Sequence, residues 1–422
     1  MSISRLLLGC VAGAGISAAV SSACSSFSAS EDSASGDAGG DTSADGGARG
    51  EAGSSGEAGT CNAPLAPLAT DPQNCGKCGH SCLGGACVAG ACQPVLVGTS
   101  NDEAVVDVAV GAQRVIWLTS TGFWSNSGHV FACPLGGCPD GGAAISLTGA
   151  PISTGSLAGD GTLAFYSEPY GGAQVGIRAI LPSGVPQPVG MPHSEAVRLQ
   201  MRNGKLYFVT LYEAGTVMGY TGHVYTWDGT TEQLVGDFAS PHNLNDMVVV
   251  GARAFFSGPE FLGACPLGTP KPATCTPSDF AQTPGEYSSL TTDGTSVIWT
   301  DATNVLSCPA DKPTCATPTA LLGSANLGAA VRSLAYDRAD LYVTTSTNDI
   351  WRCELPDCVG TLRKLVHETS RLFESSEPVW GHSLAADDTA IYWSAVDGMA
   401  VSNGDGGSVR TGVSHRVMKL AK

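Results

Sequence analysis

SLTTDGTSVIWT, residues Ser289–Thr300, decides the architecture. It reads as a run of small and apolar residues, a tight turn at Asp293-Gly294, and an apolar strand with a large aromatic. Asp-Gly is among the dipeptides that favour two-residue hairpins. Six further copies occur: DVAVGAQRVIWL (Asp107–Leu118), SLAGDGTLAFYS (Ser156–Ser167), RLQMRNGKLYFVT (Arg198–Thr210), MVVVGARAFFS (Met247–Ser257), SLAYDRADLYVT (Ser333–Thr344) and SLAADDTAIYWS (Ser383–Ser394). Aligned on Trp117, Tyr166, Phe208, Phe256, Trp299, Val343 and Trp393, neighbouring copies lie 42 to 50 residues apart. A repeat of that period built from short strands predicts the blades of an all-β propeller.

Each unit continues with a third strand, such as GHVFACP (Gly128–Pro134), GHVYTWD (Gly222–Asp228) or NVLSCP (Asn304–Pro309), and a shorter fourth, such as LRKLV (Leu362–Val366). The last unit ends on a third strand, HRVMKLA (His415–Ala421), with no fourth after it. An orphan strand, QPVLVG (Gln93–Gly98), precedes the first unit. Pairing the two hides both sheet edges, which favours a closed ring of seven blades.

With 422 residues, 55 glycines, 24 prolines and a 14% charged fraction, the composition suits many turns between short strands. The net charge of −17 argues against nucleic acid or an anionic membrane surface, because such partners need clustered Lys and Arg. Arg5, the uncharged stretch Leu6–Val20 and Ser21-Ser22-Ala23 together read as an export signal over residues 1–23. Export places the mature chain where disulfides persist.

Sixteen cysteines divide unevenly. Cys10 lies in the signal. Six form a cluster at Cys61, Cys75, Cys78, Cys82, Cys87 and Cys92, and eight form local couples, Cys133/Cys138, Cys265/Cys275, Cys308/Cys315 and Cys353/Cys358. Cys24 is left over, directly after the cleavage site. Ser21-Ser22-Ala23-Cys24 resembles a bacterial lipobox, with Ser21 where the family prefers Leu. The resemblance implies lipidation at Cys24 and attachment to the outer membrane or cell surface by that lipid alone; plain secretion is the alternative. Residues 25–60 are almost entirely Ser, Ala, Gly, Asp and Glu and cannot bury a core, so 24–60 reads as a disordered tether. Its r.m.s. reach is about 30–36 Å.

The segment 61–92 carries Asn74-Cys75-Gly76-Lys77-Cys78-Gly79 followed by single cysteines at 82, 87 and 92. It resembles the stigma-specific cysteine-rich family, which implies a small disulfide-bonded module and a spacer or adhesive role. Zinc binding and redox catalysis are the competing readings. Exported thiols are usually oxidised, and no second CxxC pair or βαβ context is present. Connectivity stays open among fifteen possibilities.

Residues 93–422 form the ring. Ile298-Trp299-Thr300-Asp301 and Tyr392-Trp393-Ser394 resemble the YWTD-type and TolB-like bacterial surface propellers. These relatives commonly have six blades, so six is the alternative to seven. The four cysteine couples fall between third and fourth strands and are expected to staple the outer rim.

No GxSxG elbow, HExxH helix, EF-hand loop or phosphate loop is present. The aspartates of the hairpin turns, Asp160, Asp293, Asp337 and Asp387-Asp388, read as structural rather than calcium ligands. Neither metal nor cofactor is expected. The loops entering the first strands and those between second and third strands should meet on one face around the channel. They hold Trp124, Tyr170, His193, Tyr212, His242, Glu286, Trp380 and His382, a set suited to sugars or peptides. The expected function is therefore a monomeric surface lipoprotein whose propeller binds or scaffolds a protein or glycan. The alternative is a propeller lyase or hydrolase acting on an envelope polymer, for which His193, His242 and His382 are the available acid–base groups.

Overall fold

The computed structural model describes residues 68–422 except 102, 121–127, 139–144, 148–155, 161, 168–174, 182, 194–197, 214–219, 241–243, 245, 259–260, 282–288, 302, 339, 369–383, 398–399, 403–407 and 411–413. Seven antiparallel four-stranded sheets succeed one another along the chain. Their inner strands, from blade 1 to blade 7, are Ala104–Gly111, Leu157–Gly159, Arg198–Arg202, Asp246–Val250, Leu290–Thr292, Val331–Asp337 and Leu384–Ala386. Blade 7 takes its outer strand from the opposite end of the chain. Val95–Asn101 pairs with Ser414–Ala421, with Val95 opposite Lys419 and Asn101 opposite Ser414. The ring is thus closed by strand exchange, with seven blades and not six.

Packing explains the repeated aromatic. Each of the seven aligned residues is at most 1% exposed and sits in a cluster shared with the preceding blade. Trp117 packs with Val97, Tyr392 and Val417 of blade 7. Tyr166 packs with Ile116 and Leu118 of blade 1, and Phe208 with Phe165 and Ile177 of blade 2. Phe256 meets Val209 and Phe238, Trp299 meets Phe255 and Phe280, and Trp393 meets Tyr342 and Ile350. Val343 does the same work beside Ile298 and Val305. Burying one such side chain contributes about 1.5–3 kcal/mol, so the ring is held mainly by this belt of wedges. The inner strands must crowd to let the wedges meet. A Cβ added to Gly159 would lie 1.9 Å from the Val110 carbonyl oxygen, which is why that position has no side chain.

The outer strands are not uniformly short. In blades 2 and 3 they run over Pro186–His193 and Glu232–Ser240. In blade 3 a tight turn at Asp228–Thr231 joins third and fourth strands, so pairing runs from Trp227–Glu232 to Tyr220–Ser240.

Cys133–Cys138, Cys265–Cys275, Cys308–Cys315 and Cys353–Cys358 are bonded, each within its own blade's third-to-fourth connection. The loops do more than close on themselves. Cys275 lies beside the outer strand of blade 3, its N–H donating to Asp237 O and its carbonyl accepting from Ala239 N, both at 2.9 Å. Cys315 forms the equivalent bridge to blade 4 at Ala281 and Phe280, and the Cys138 N–H donates to Val97 O of blade 7. Each of these disulfide loops therefore covers the exposed edge of the blade before it.

In the cysteine module, Cys75 is bonded to Cys87 and Cys82 to Cys92, and Cys78 is also oxidised. The module packs on the ring's seam. Leu83 joins the cluster around Val97, Trp117 and Tyr392, and Cys92 joins the one around Ile350, Val366 and Trp393. His80 lies between two backbone oxygens, with Nδ1 2.6 Å from Cys75 O and Nε2 2.6 Å from Lys422 O.

Candidate functional site at the channel throat

The channel encloses a cavity of about 200 Å³ walled by all seven inner strands, including Val108, Leu157, Leu199, Met247, Leu290, Leu334 and Leu384. At one end of these strands the repeat places a collar of buried polar residues: Asp107, Ser156, Arg198, Asp246, Ser289 and Ser333. An inner strand has one edge facing the channel with no partner strand, so its amides need another acceptor. The collar supplies it from the neighbouring blade. Leu157 N–H donates to Asp107 Oδ2 at 2.9 Å and Leu199 N–H to Ser156 Oγ at 3.3 Å. Leu290 N–H donates to Asp246 Oδ2 at 2.8 Å and Leu334 N–H to Ser289 Oγ at 3.2 Å. The opening Ser or Asp of the repeat is thus a hydrogen-bond acceptor reaching into the next blade.

Blade 3 breaks the rule, because Arg198 cannot accept. Asp246 compensates by also accepting its own blade's Met247 N–H at 2.8 Å. Burial pushes the Arg198 guanidinium below its ordinary value, while the Asp246 and Asp107 carboxylates oppose that shift. The same strand carries Gln200, whose Oε1 accepts from Val249 N–H at 2.6 Å. At the other end of the strand Arg202 donates to Val249 O and, at 3.1 Å, to Gly294 O, linking blades 3, 4 and 5.

Three histidine–carboxylate pairs lie on the collar's side of the ring, two where a third strand begins or a fourth ends and one, His223 with Asp237, inside the long ladder of blade 3. His129 Nδ1 is 2.8 Å from Glu103 Oε1, His223 Nδ1 is 2.7 Å from Asp237 Oδ1, and His367 Nδ1 is 2.8 Å from Asp349 Oδ1. Burial would raise the Asp349 carboxyl, but hydrogen bonds from His367, Lys364 and Thr347 outweigh it and hold it below the ordinary value. Asp237 is likewise held low, by Lys271 and His223 against its burial. Lys271 belongs to the Cys265–Cys275 loop of blade 4, so this pair also joins two blades. These pairs were not singled out from sequence. The sign available was a histidine opening a third strand, as in Gly128-His129 and Gly222-His223.

Of the loop residues proposed from sequence, His193 ends the outer strand of blade 2 and Tyr212 lies in the second strand of blade 3, opposite Thr221. Trp124, Tyr170, His242, Glu286, Trp380 and His382 lie outside the described residues, as do Cys24 and Cys61. The turn aspartates are occupied by their own turns. Asp160 accepts from Thr162 and Leu163 N–H, Asp293 from Thr295 and Ser296, and Asp387 from Thr389 and Ala390. Among the described residues, one group has metal-ligand proximity, the sulfurs of Cys75, Cys82 and Cys92. All three are in disulfides and offer no thiolate.

No family model and no curated protein matches the chain. Solved structures do. The computationally designed Ika8 protein is similar over 78% of this chain and 99% of its own, at 11% identity and a TM-score of 0.45. An acylaminoacyl peptidase from Pyrococcus horikoshii matches over 69% of this chain and 49% of its own, at 10% identity and a TM-score of 0.49. The β-propeller domain of the Trilobed protease from Pyrococcus furiosus matches over 70% and 91%, at 8% identity and a TM-score of 0.46.

Proposed function

We propose that the ring is a binding or scaffold module of an exported protein, held at the cell surface through a lipid on Cys24. Trp124, Tyr170, His193, Tyr212, His242, Glu286, Trp380 and His382 contact its protein or glycan partner. The observation that carries this reading is the chemistry of the collar. Its carboxylates and hydroxyls at Asp107, Ser156, Asp246 and Ser289 accept backbone amides from neighbouring blades, which fixes the strand starts from which the loops spring. Acceptors committed in this way set loop positions and do not carry protons. The aromatic and polar groups proposed on the loops suit a ligand with both apolar faces and hydroxyl or amide groups.

A binding screen of the full chain against a glycan array and envelope extracts tests the reading. Trp380→Ala and Trp124→Ala should weaken the captured ligand at least tenfold while leaving thermal unfolding unchanged. A ligand retained equally by both variants and by a His242→Ala/His382→Ala variant would overturn the loop-face assignment. Cys24→Ser tests the anchor separately: the protein should move from the membrane fraction to the soluble fraction.

A further inference from the structure

The geometry points to a redox-dependent lock on ring closure, formed by the Cys82–Cys92 disulfide. Blade 7 is the one blade whose third and fourth strands come from opposite ends of the chain, Ser414–Ala421 and Val95–Asn101. It therefore cannot have the short disulfide loop that bridges those strands in blades 1, 4, 5 and 6. The cysteine module stands in its place. Cys92 lies three residues ahead of Val95, and the Gln93 N–H donates to Ala86 O at 2.8 Å, which sets the direction in which the closing strand leaves the module.

The disulfide ties together two wedges. Cys92 packs at the junction of blades 6 and 7, against Ile350, Val366 and Trp393. Its partner Cys82 is followed by Leu83, which packs at the junction of blades 7 and 1, against Val97, Trp117 and Tyr392. One covalent bond thus spans both flanks of the blade that closes the ring. His80 adds a link from the module to Lys422, one residue beyond the third strand.

The junction of blades 6 and 7 also needs a tie. At the other described junctions made by a Ser or Asp collar residue, the side chain accepts an amide of the next blade. Ser333, which faces blade 7, is 4% exposed and its Oγ has no hydrogen-bond partner. Polar links elsewhere at this junction, Lys422 Nζ to Asp337 and Trp393 Nε1 to Glu368, are spread along its length and leave the collar position open.

Oxidation removes two electrons and two protons from the Cys82 and Cys92 thiols. They pass to a protein or small-molecule disulfide of the exporting compartment, which leaves as a dithiol. The Sγ–Sγ bond that forms fixes both wedges, and the exchanged strand is then held in register. Under reduction the wedges separate and Val95–Asn101 loses its hold.

Hydrogen exchange on the full chain tests the lock. In Cys82→Ser/Cys92→Ser, amides of Val95–Asn101 and Ser414–Ala421 should exchange at least about tenfold faster than in the parent, while those of blades 3 to 5 keep the parental rates. Cys265→Ser/Cys275→Ser is the control and should leave the seam unchanged. Seam amides as slow as in the parent, or accelerated equally in the control, would overturn the proposal. If the double variant does not fold, the single variant Cys92→Ala, which removes the same bond and keeps a small apolar side chain in the blade 6–7 cluster, serves with the same readout. Faster exchange confined to the seam supports the lock, and unchanged exchange refutes it.

Discussion

Replacing Asp246 isolates the collar's role, because this residue does two jobs that Ser does singly elsewhere. Its carboxylate accepts Met247 and Leu290 N–H at 2.8 Å each and faces the buried Arg198 guanidinium. Asp246→Ala would leave two amides without that acceptor and remove one of two counter-charges, Asp246 and Asp107, from a cation that is 6% exposed. Breaking a buried ionic set from one side costs about 3–5 kcal/mol. Asp246→Ser keeps an acceptor for Leu290, as Ser289 does for Leu334, but removes the same counter-charge from Arg198, so it should fall at the low end of that range, about 3 kcal/mol. The informative variant is Arg198→Ser/Asp246→Ser, which restores the collar chemistry of blades 2, 5 and 6. It should be less destabilised than the sum of its two single variants by about 1–3 kcal/mol, the usual coupling of residues in one network. Urea unfolding followed by the fluorescence of buried Trp117, Trp299 and Trp393 supplies the assay. Additivity within about 0.5 kcal/mol would show that Arg198 and Asp246 act independently and would refute the compensation argument.

Other outcomes follow from the rim and the axis. Cys265→Ser/Cys275→Ser opens a loop of sequence separation 10 and should cost about 2–3 kcal/mol in the chain-entropy relation. Amide exchange should rise along Glu232–Ser240 of the preceding blade and not along Pro186–His193. The Asp237 and Asp349 carboxyls are held below their unfolded value, so their contribution is present above a pH of about 4 and is lost as pH falls through the folded value. An acid titration of stability should therefore steepen below that pH, and Asp237→Asn/Asp349→Asn should flatten it. Gly159→Ala would drive a methyl group into the Val110 carbonyl and should destabilise by about 1–3 kcal/mol or more in thermal unfolding.

The strand exchange at the ends was legible because two orphan strands, Gln93–Gly98 and His415–Ala421, each lacked a neighbour and supplied one for the other. The rim couples were legible because their cysteines are close in sequence. Their second role was not, since Cys275 bridges to Phe238 and Cys315 to Ala281, partners some 34 to 37 residues earlier that no local pattern marks. The collar was hidden for a similar reason. Ser, Asp and Arg at one repeat position look interchangeable as polar residues, and only the amide of the next blade, 43 to 50 residues away, separates acceptors from the one that cannot accept. The module shares no repeat with the blades, and its contact with the seam is made by Leu83 and Cys92, side chains that carry no periodic signal. Tyr212 and His193 read as loop residues in the sequence and stand in strands instead, because the second strand of blade 3 and the outer strand of blade 2 run on past the apolar pattern that marks them.

The outer strand of blade 2 shows how the ring meets other molecules. Its partner in blade 2 pairs Arg178 with Pro188 and Ile180 with Pro186. A proline has no N–H to give its neighbour, so Pro186 and Pro188 turn their donor-less side outward. A strand from a second chain finds carbonyls there but too few donors to form a ladder. Where blades 3, 4 and 7 end, a disulfide loop from the following blade already occupies the edge. Self-association through edge pairing is thereby blocked in these sectors by two unrelated means, one covalent and one conformational. Clumping of this protein should then track the rate at which the ring comes apart, with reductant accelerating it through the loop-covered edges and leaving the proline edge inert.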